Sequence, residues 1–162
     1  NYKKGFPMTR NDILRRVRYA FDFDDAKIIE IFSLVDVEVT RADVCDWLKR
    51  DEDDDQKELT DVILATFLNG LIVDRRGKKD GPQPKPERRL NNNLILNKFK
   101  IALGLKAEEL IEIFELVGFK MNKNELSSYF RKREHRNYRD CREQVLRKFI
   151  QGLQKKYRTS AD

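Results

Sequence analysis

The chain has 162 residues and a mass of 19.3 kDa, with 34 Lys and Arg against 28 Asp and Glu and a formal net charge of +6. This length suits one ordinary domain or two very small ones, and a hydrophobic fraction of 40% excludes a disordered chain provided the apolar residues are well patterned. No stretch is long and apolar enough to span a membrane, the N-terminus has no signal-peptide core, and two cysteines make no disulfide framework, so a reducing cytoplasm is the expected location.

Met8-Thr9-Arg10-Asn11 reads as a native start, with Asn1 to Pro7 upstream of it. The first helix is carried by Ile13, Leu14, Val17, Ala20 and Phe21, one stripe at helical spacing, with Asn11 or Asp12 as its cap. Ile28, Ile29, Ile31, Phe32 and Val35 predict the second. The third opens at Thr40 with Asp43 three residues on, the capping-box spacing, and buries Val44, Trp47 and Leu48. The fourth is expected to open near Asp55, with Glu58 three residues on, and to run through Leu59, Val62, Ile63, Phe67 and Leu71. Residues 78–92, rich in Pro, Gly and charge, read as a semi-stiff linker.

The remainder repeats the first half. Shifted by 82 residues, Asn11-Asp12-Ile13-Leu14 falls on Asn93-Leu94-Ile95-Leu96, Ile29-Glu30-Ile31-Phe32 on Ile111-Glu112-Ile113-Phe114, and Phe67-Leu68-Asn69-Gly70-Leu71 on Phe149-Ile150-Gln151-Gly152-Leu153. About 15 of roughly 61 ungapped positions are identical, against about 4 by chance. Trp47 pairs with Tyr129, and the caps recur at Asn122 with Glu125 and near Asn137 with Asp140. No segment alternates with period two. The expected fold is therefore all-α, a tandem duplication of a four-helix unit: a first repeat over 9–77, the linker 78–92, and a second repeat over 93–158. Gly70 and Gly152, inside the fourth helix of each copy, predict close helix–helix approach.

These residues resemble the bacterial YehS-like family, a duplicated domain of unknown function. The carriers are Asn11 to Tyr19, Trp47-Leu48-Lys49, Phe67 to Ile72, and Pro86 to Asn93. The resemblance covers nearly the whole chain from Met8 onward. It implies a small bacterial cytoplasmic protein with two copies of the domain, and it supplies no catalytic or binding residue.

Charge is divided between the copies. Residues 11–77 carry a net charge of about −7 and residues 93–158 about +8. The contrast is greatest at one loop. The first copy has Asp51, Glu52, Asp53, Asp54 and Asp55. The second has Arg131, Lys132, Arg133 and Arg136, followed by Arg139 and Arg142. The acidic run is a candidate surface for a cationic partner, and the basic cluster for nucleic acid or another anionic partner, with Tyr138 able to stack on a base. The copies could also attract each other, within one chain or between chains.

Catalysis is not expected. His135, the only histidine, reads as a solvated loop residue, and Cys45 and Cys141 as buried small apolar residues without a histidine in a nucleophile-like arrangement. The acidic run lacks the ligand alternation and turn glycine of a calcium loop, so neither metal nor cofactor is expected. Helices two and three have the gross form of helix-turn-helix. However, Phe32 and Phe114 stand where that motif wants a small residue, and Asp43 and Asp46 would repel DNA. The leading expectation is a non-enzymatic interaction or regulatory module with a protein partner; nucleic-acid binding by the basic copy is the alternative, and a small-ligand or enzymatic role the third.

Overall fold

In the computed structural model, which describes residues 8–158, the helical periodicity of both halves is realised as eight α-helices, with no strand among the described residues. The reading of Asn1 to Pro7 as upstream sequence lies outside the described residues. The first repeat supplies α1 (Arg10–Phe21), α2 (Asp25–Ser33), α3 (Arg41–Leu48) and α4 (Asp61–Arg76). The second supplies α5 (Asn92–Leu103), α6 (Ala107–Glu115), α7 (Lys123–Ser128) and α8 (Glu143–Tyr157).

The third-helix caps form as the spacing predicts. Thr40 and Asp43 make a reciprocal capping box on α3, and the Asn122 side chain accepts from Glu125 N at 2.7 Å on α7. Other starts move. α1 and α5 are capped by Thr9 and Asn91, which accept from Asp12 N at 3.0 Å and Leu94 N at 2.8 Å. Asn11 and Asn93, freed from capping, do something else, described below. The fourth helices open later than the periodicity suggests, at Asp61 rather than near Asp55, and at Glu143 rather than near Asn137. Leu59 is buried, but in irregular chain, so its burial mimics a helical face without belonging to one. Even the left-handed caps repeat: Asp22 ends α1 at φ 55°, and its mate Gly104 ends α5 at φ 62°.

α4 packs on α5, and α1 on α8. Exchanging the repeats converts one interface into the other, so the two copies are related by an approximate two-fold. The four central helices run in the same direction. At their starts, Met8 N donates to Glu143 Oε2 at 2.6 Å, Arg10 pairs with Asp61 at 2.7 Å, Leu90 N donates to Asp61 at 2.8 Å, and Asn92 donates to the Cys141 carbonyl at 3.0 Å. At their ends, Phe21 meets Tyr157 at 4.9 Å between ring centroids, and Arg158 donates to the Tyr19 carbonyl at 2.8 Å. Four aligned helix dipoles would repel side by side. The sequence offsets this with Asp12, Asp61 and Glu143 in first turns and Arg18, Arg75, Arg76, Lys100, Lys155 and Lys156 in last turns.

One apolar core runs through both repeats and includes Phe32, Phe67, Phe99, Phe114 and Phe149, all essentially fully buried. The outer pairs α2–α3 and α6–α7 close it, with Phe32 between Trp47 and Phe67. That position explains the large residue where helix-turn-helix wants a small one. The connection from 34 to 40 is also too long for that motif. The linker is more than a spacer: Leu90 is buried, and Glu87 lies 3.1 Å from Lys98 of α5.

One cysteine departs from expectation. Cys141 is buried, and burial pushes its thiol up to about 12. Cys45 is exposed, because Val44 and Trp47 take the inward face of α3 and its own direction points to solvent. Under native conditions at neutral pH, a maleimide is expected to modify Cys45 alone, with Cys141 reacting only after denaturation. Equal native labelling, read by mass spectrometry of tryptic peptides, would sink this assignment.

Candidate anion-binding groove

The charged loops owe their shape to two buried asparagines. Asn11 donates to the Trp47 carbonyl at 2.9 Å and the Lys57 carbonyl at 2.8 Å, and accepts from Leu59 N at 3.0 Å. Its mate Asn93 donates to the Tyr129 and Arg139 carbonyls at 3.0 and 2.8 Å, and accepts from Cys141 N at 2.8 Å. One side chain thus pins both feet of each loop to the first turn of the repeat. The chain between the feet cannot continue as helix, which is why the fourth helices start late. The recurrence of Asn at the offset of 82 was the available signal for this role; nothing local distinguished it from a cap.

Because α1 and α5 run in parallel from the same end, both pinned loops stand at that end, on opposite sides of the four central helices. The charge division is therefore carried across one face of the molecule.

In the basic loop, His135 N donates to the Lys132 carbonyl at 2.9 Å and Tyr138 N to the His135 carbonyl at 3.0 Å. The His135 ring accepts at Nδ1 from Asn137 N at 2.9 Å, so the imidazole stabilises the turn. Folded this way, the loop and α7 enclose a polar groove of about 660 Å³. Arg131, Arg136, Arg139 and Tyr138 line it, together with Asn122, Asn124, Ser127 and Glu125. Lys132, Arg133 and Arg142 are exposed on the same loop but outside the lining. None of these six cations forms an ion pair among the described residues.

Tyr129 is buried, and its hydroxyl donates to Glu125 at 3.1 Å. Burial and that carboxylate hold its phenol well above the ordinary range, so it stays a neutral donor that occupies Glu125. Tyr138 is half-buried and also raised, first by burial and then by a hydrogen bond to Asp140. It is the one aromatic ring in the groove. The arrangement offers three guanidinium forks, amide and hydroxyl donors and a ring face, a set suited to carboxylate or phosphate groups.

The acidic loop is more engaged with its own repeat. Asp51 accepts from Arg15 at 3.1 Å and from Gln56 at 2.7 Å, and Asp53 accepts from Asp55 N at 2.8 Å. Glu52 and Asp54 are exposed. Among the described residues, no group of three His, Cys, Asp or Glu side chains is placed to hold a metal ion. Among the described residues, no helix is long and apolar enough to cross a membrane.

Comparison with known proteins agrees with the duplicated fold. The family described as "Protein of unknown function (DUF1456)" matches twice, over residues 10–77 and 92–159. The "Uncharacterized protein YehS" of Escherichia coli (strain K12) is 37% identical over 147 residues, covering 90% of this chain and 94% of that protein. No solved structure gives a significant match. With both copies of the domain present and YehS similar along nearly its whole length, the chain belongs to the DUF1456 family of unknown function and is YehS-like.

Proposed function

We propose that the protein is a non-enzymatic interaction module that docks a partner protein across the end of the molecule where the two charged loops stand. An acidic segment of the partner occupies the groove of Arg131, Arg136 and Arg139. The observation that supports this most is the placement of an unpaired cationic groove and an acidic loop on opposite sides of one end. A protein surface can present both signs at that separation, and the pairing then sets orientation and encounter rate. An extended polyanion leaving the groove would run toward Asp51 to Asp55 and be repelled.

Nucleic-acid binding is the second reading, favoured by Tyr138 lining the groove beside three guanidiniums. Fluorescence anisotropy on the full chain separates the two. An Asp/Glu-rich peptide is expected to bind more tightly than a single-stranded oligonucleotide of equal charge. Affinity should fall with salt and drop about tenfold or more in Arg131→Ala/Arg136→Ala/Arg139→Ala. Neutralising the acidic loop with Asp53→Asn/Asp54→Asn/Asp55→Asn should strengthen oligonucleotide binding selectively. Tighter oligonucleotide binding that ignores those changes would establish the second reading instead. No binding of either probe at low salt would dismiss the groove.

A further inference from the structure

A second cavity, of about 280 Å³, lies away from the charged end, between the turn that follows α2, the second half of α4, the linker and α5. Its walls are mainly apolar: Val35, Val37, Ile72, Val73, Leu94 and Ile101. Val37 and Ile101 remain 37% and 41% exposed, so the apolar surface continues to the rim.

The cavity is also lined by Asn69, Lys98 and Glu87. Asn69 is only 7% exposed and Lys98 8%. The Lys98 ammonium donates to Asn69 Oδ1 at 2.7 Å and lies 3.1 Å from Glu87 Oε1. That contact fixes the amide, because lysine can only donate and must face the oxygen. Asn69 Nδ2 is then left buried with no hydrogen-bond partner; Glu87 Oε1 likewise makes no hydrogen bond, its 3.1 Å approach to the Lys98 ammonium being an ion pair only. A buried unpaired donor is costly, and it marks a place where an acceptor is wanted.

The duplication supplies an internal control. At the equivalent place between α8 and α1, the mates of Ile72, Val73, Leu94 and Ile101 are Gln154, Lys155, Asp12 and Tyr19. The fold therefore accepts polar residues at these positions, and the apolar wall belongs to one side only.

We propose that this cavity binds a small uncharged molecule, mainly aliphatic or alicyclic, that carries one carbonyl-type oxygen. Its volume is near the lower end of small-molecule sites, about 300 Å³. The oxygen would accept from Asn69 Nδ2 and from one of the ammonium protons that Lys98 does not donate to Asn69, while the hydrocarbon part covers Val37, Ile72 and Ile101. Charge excludes the obvious alternatives. Asp36, Lys78 and Lys79 also line the cavity but are exposed, so their charges stay in water; beside Asn69, Lys98 and Glu87 already compensate each other, and a carboxylate there would add an unpaired negative charge beside Glu87 and an ammonium an unpaired positive one beside Lys98.

The test uses the full chain, titrated with cyclohexanone, cyclohexane, cyclohexanecarboxylate and cyclohexylamine, and read by amide and methyl NMR. Cyclohexanone is expected to shift the Asn69 side-chain amide and the methyl groups of Val37, Ile72 and Ile101 saturably. The other three should bind about tenfold or more weakly. The double variant Ile72→Gln/Val73→Lys carries the second repeat's own residues and should lose binding about tenfold while remaining folded at the temperature of the titration, as its amide spectrum shows. Ile101→Tyr, likewise a residue of the other copy, is the second variant should the first fail to fold. The proposal is overturned by no saturable shift with cyclohexanone, by equal binding of cyclohexane or of either charged probe, or by binding that survives in a folded variant.

Discussion

Asn93→Ala is expected to destabilise the chain by about 3 kcal/mol or more, with Asn11→Ala close behind. Each asparagine holds two carbonyls and one amide N–H from three separated residues, all at 2.8–3.0 Å. Truncation leaves those three groups without a partner beside the core, at about 1–3 kcal/mol for each that water cannot reach. Asn93→Asp is no substitute, since a carboxylate accepts and cannot donate to the Tyr129 and Arg139 carbonyls. The two variants should differ in where the loss appears. Hydrogen exchange should speed up first at Cys141 in Asn93→Ala and at Leu59 in Asn11→Ala, because those amides lose their acceptor directly. Chemical denaturation measures the total. A loss below about 1 kcal/mol in both would mean the loops hold their shape without the pins.

Gly70→Ala and Gly152→Ala should each cost about 2–4 kcal/mol, against a helix-propensity gain of about 1 kcal/mol for Gly to Ala. The sign is decided by what a methyl group would meet. At Gly70 an added Cβ would overlap the Ile31 carbonyl oxygen and lie 2.8 Å from Ile31 Cγ2; at Gly152 it would overlap the Ile113 carbonyl oxygen. The obstacle is backbone of α2 or α6, which cannot rotate away as a side chain tip can. Relief requires the outer helix to lift off α4 or α8, opening the ring stack around Phe32 or Phe114. Thermal unfolding reads the loss directly. A neutral or stabilising result in either variant would show that the helices have room and that glycine serves no packing role.

Both predictions depend on residues the sequence already marked by recurrence, yet it could not say what either did. Gly70 and Gly152 carried a local signal, since glycine inside an apolar helical stripe has few reasons to be there other than close approach. Asn11 and Asn93 carried a misleading one. A polar residue just before a helical stripe has the chemistry of a cap, and only the returning chain between residues 47 and 59 reveals a better use for it. The late start of α4 follows from the same cause. Leu59 supplied an apolar residue in helical phase, while its actual burial comes from the pinned loop.

The candidate groove divides similarly. Six cations on one loop are visible in any reading of residues 131–142. Their separation into Arg131, Arg136 and Arg139 facing the groove and Lys132, Arg133 and Arg142 outside its lining depends on the turn closed by His135 and on the foot held by Asn93.

By itself the sequence determined the secondary structure class, the duplication, the buried face of most helices and the division of charge. These are set by periodicity and composition, which are local or additive along the chain. Tertiary structure decided the direction of the four central helices, and with it the placement of both charged loops at one end. It also decided the one-sided apolar cavity with its unpaired Asn69 amide. Those features come from contacts between residues tens of positions apart, and their geometry exists only once the two repeats have packed.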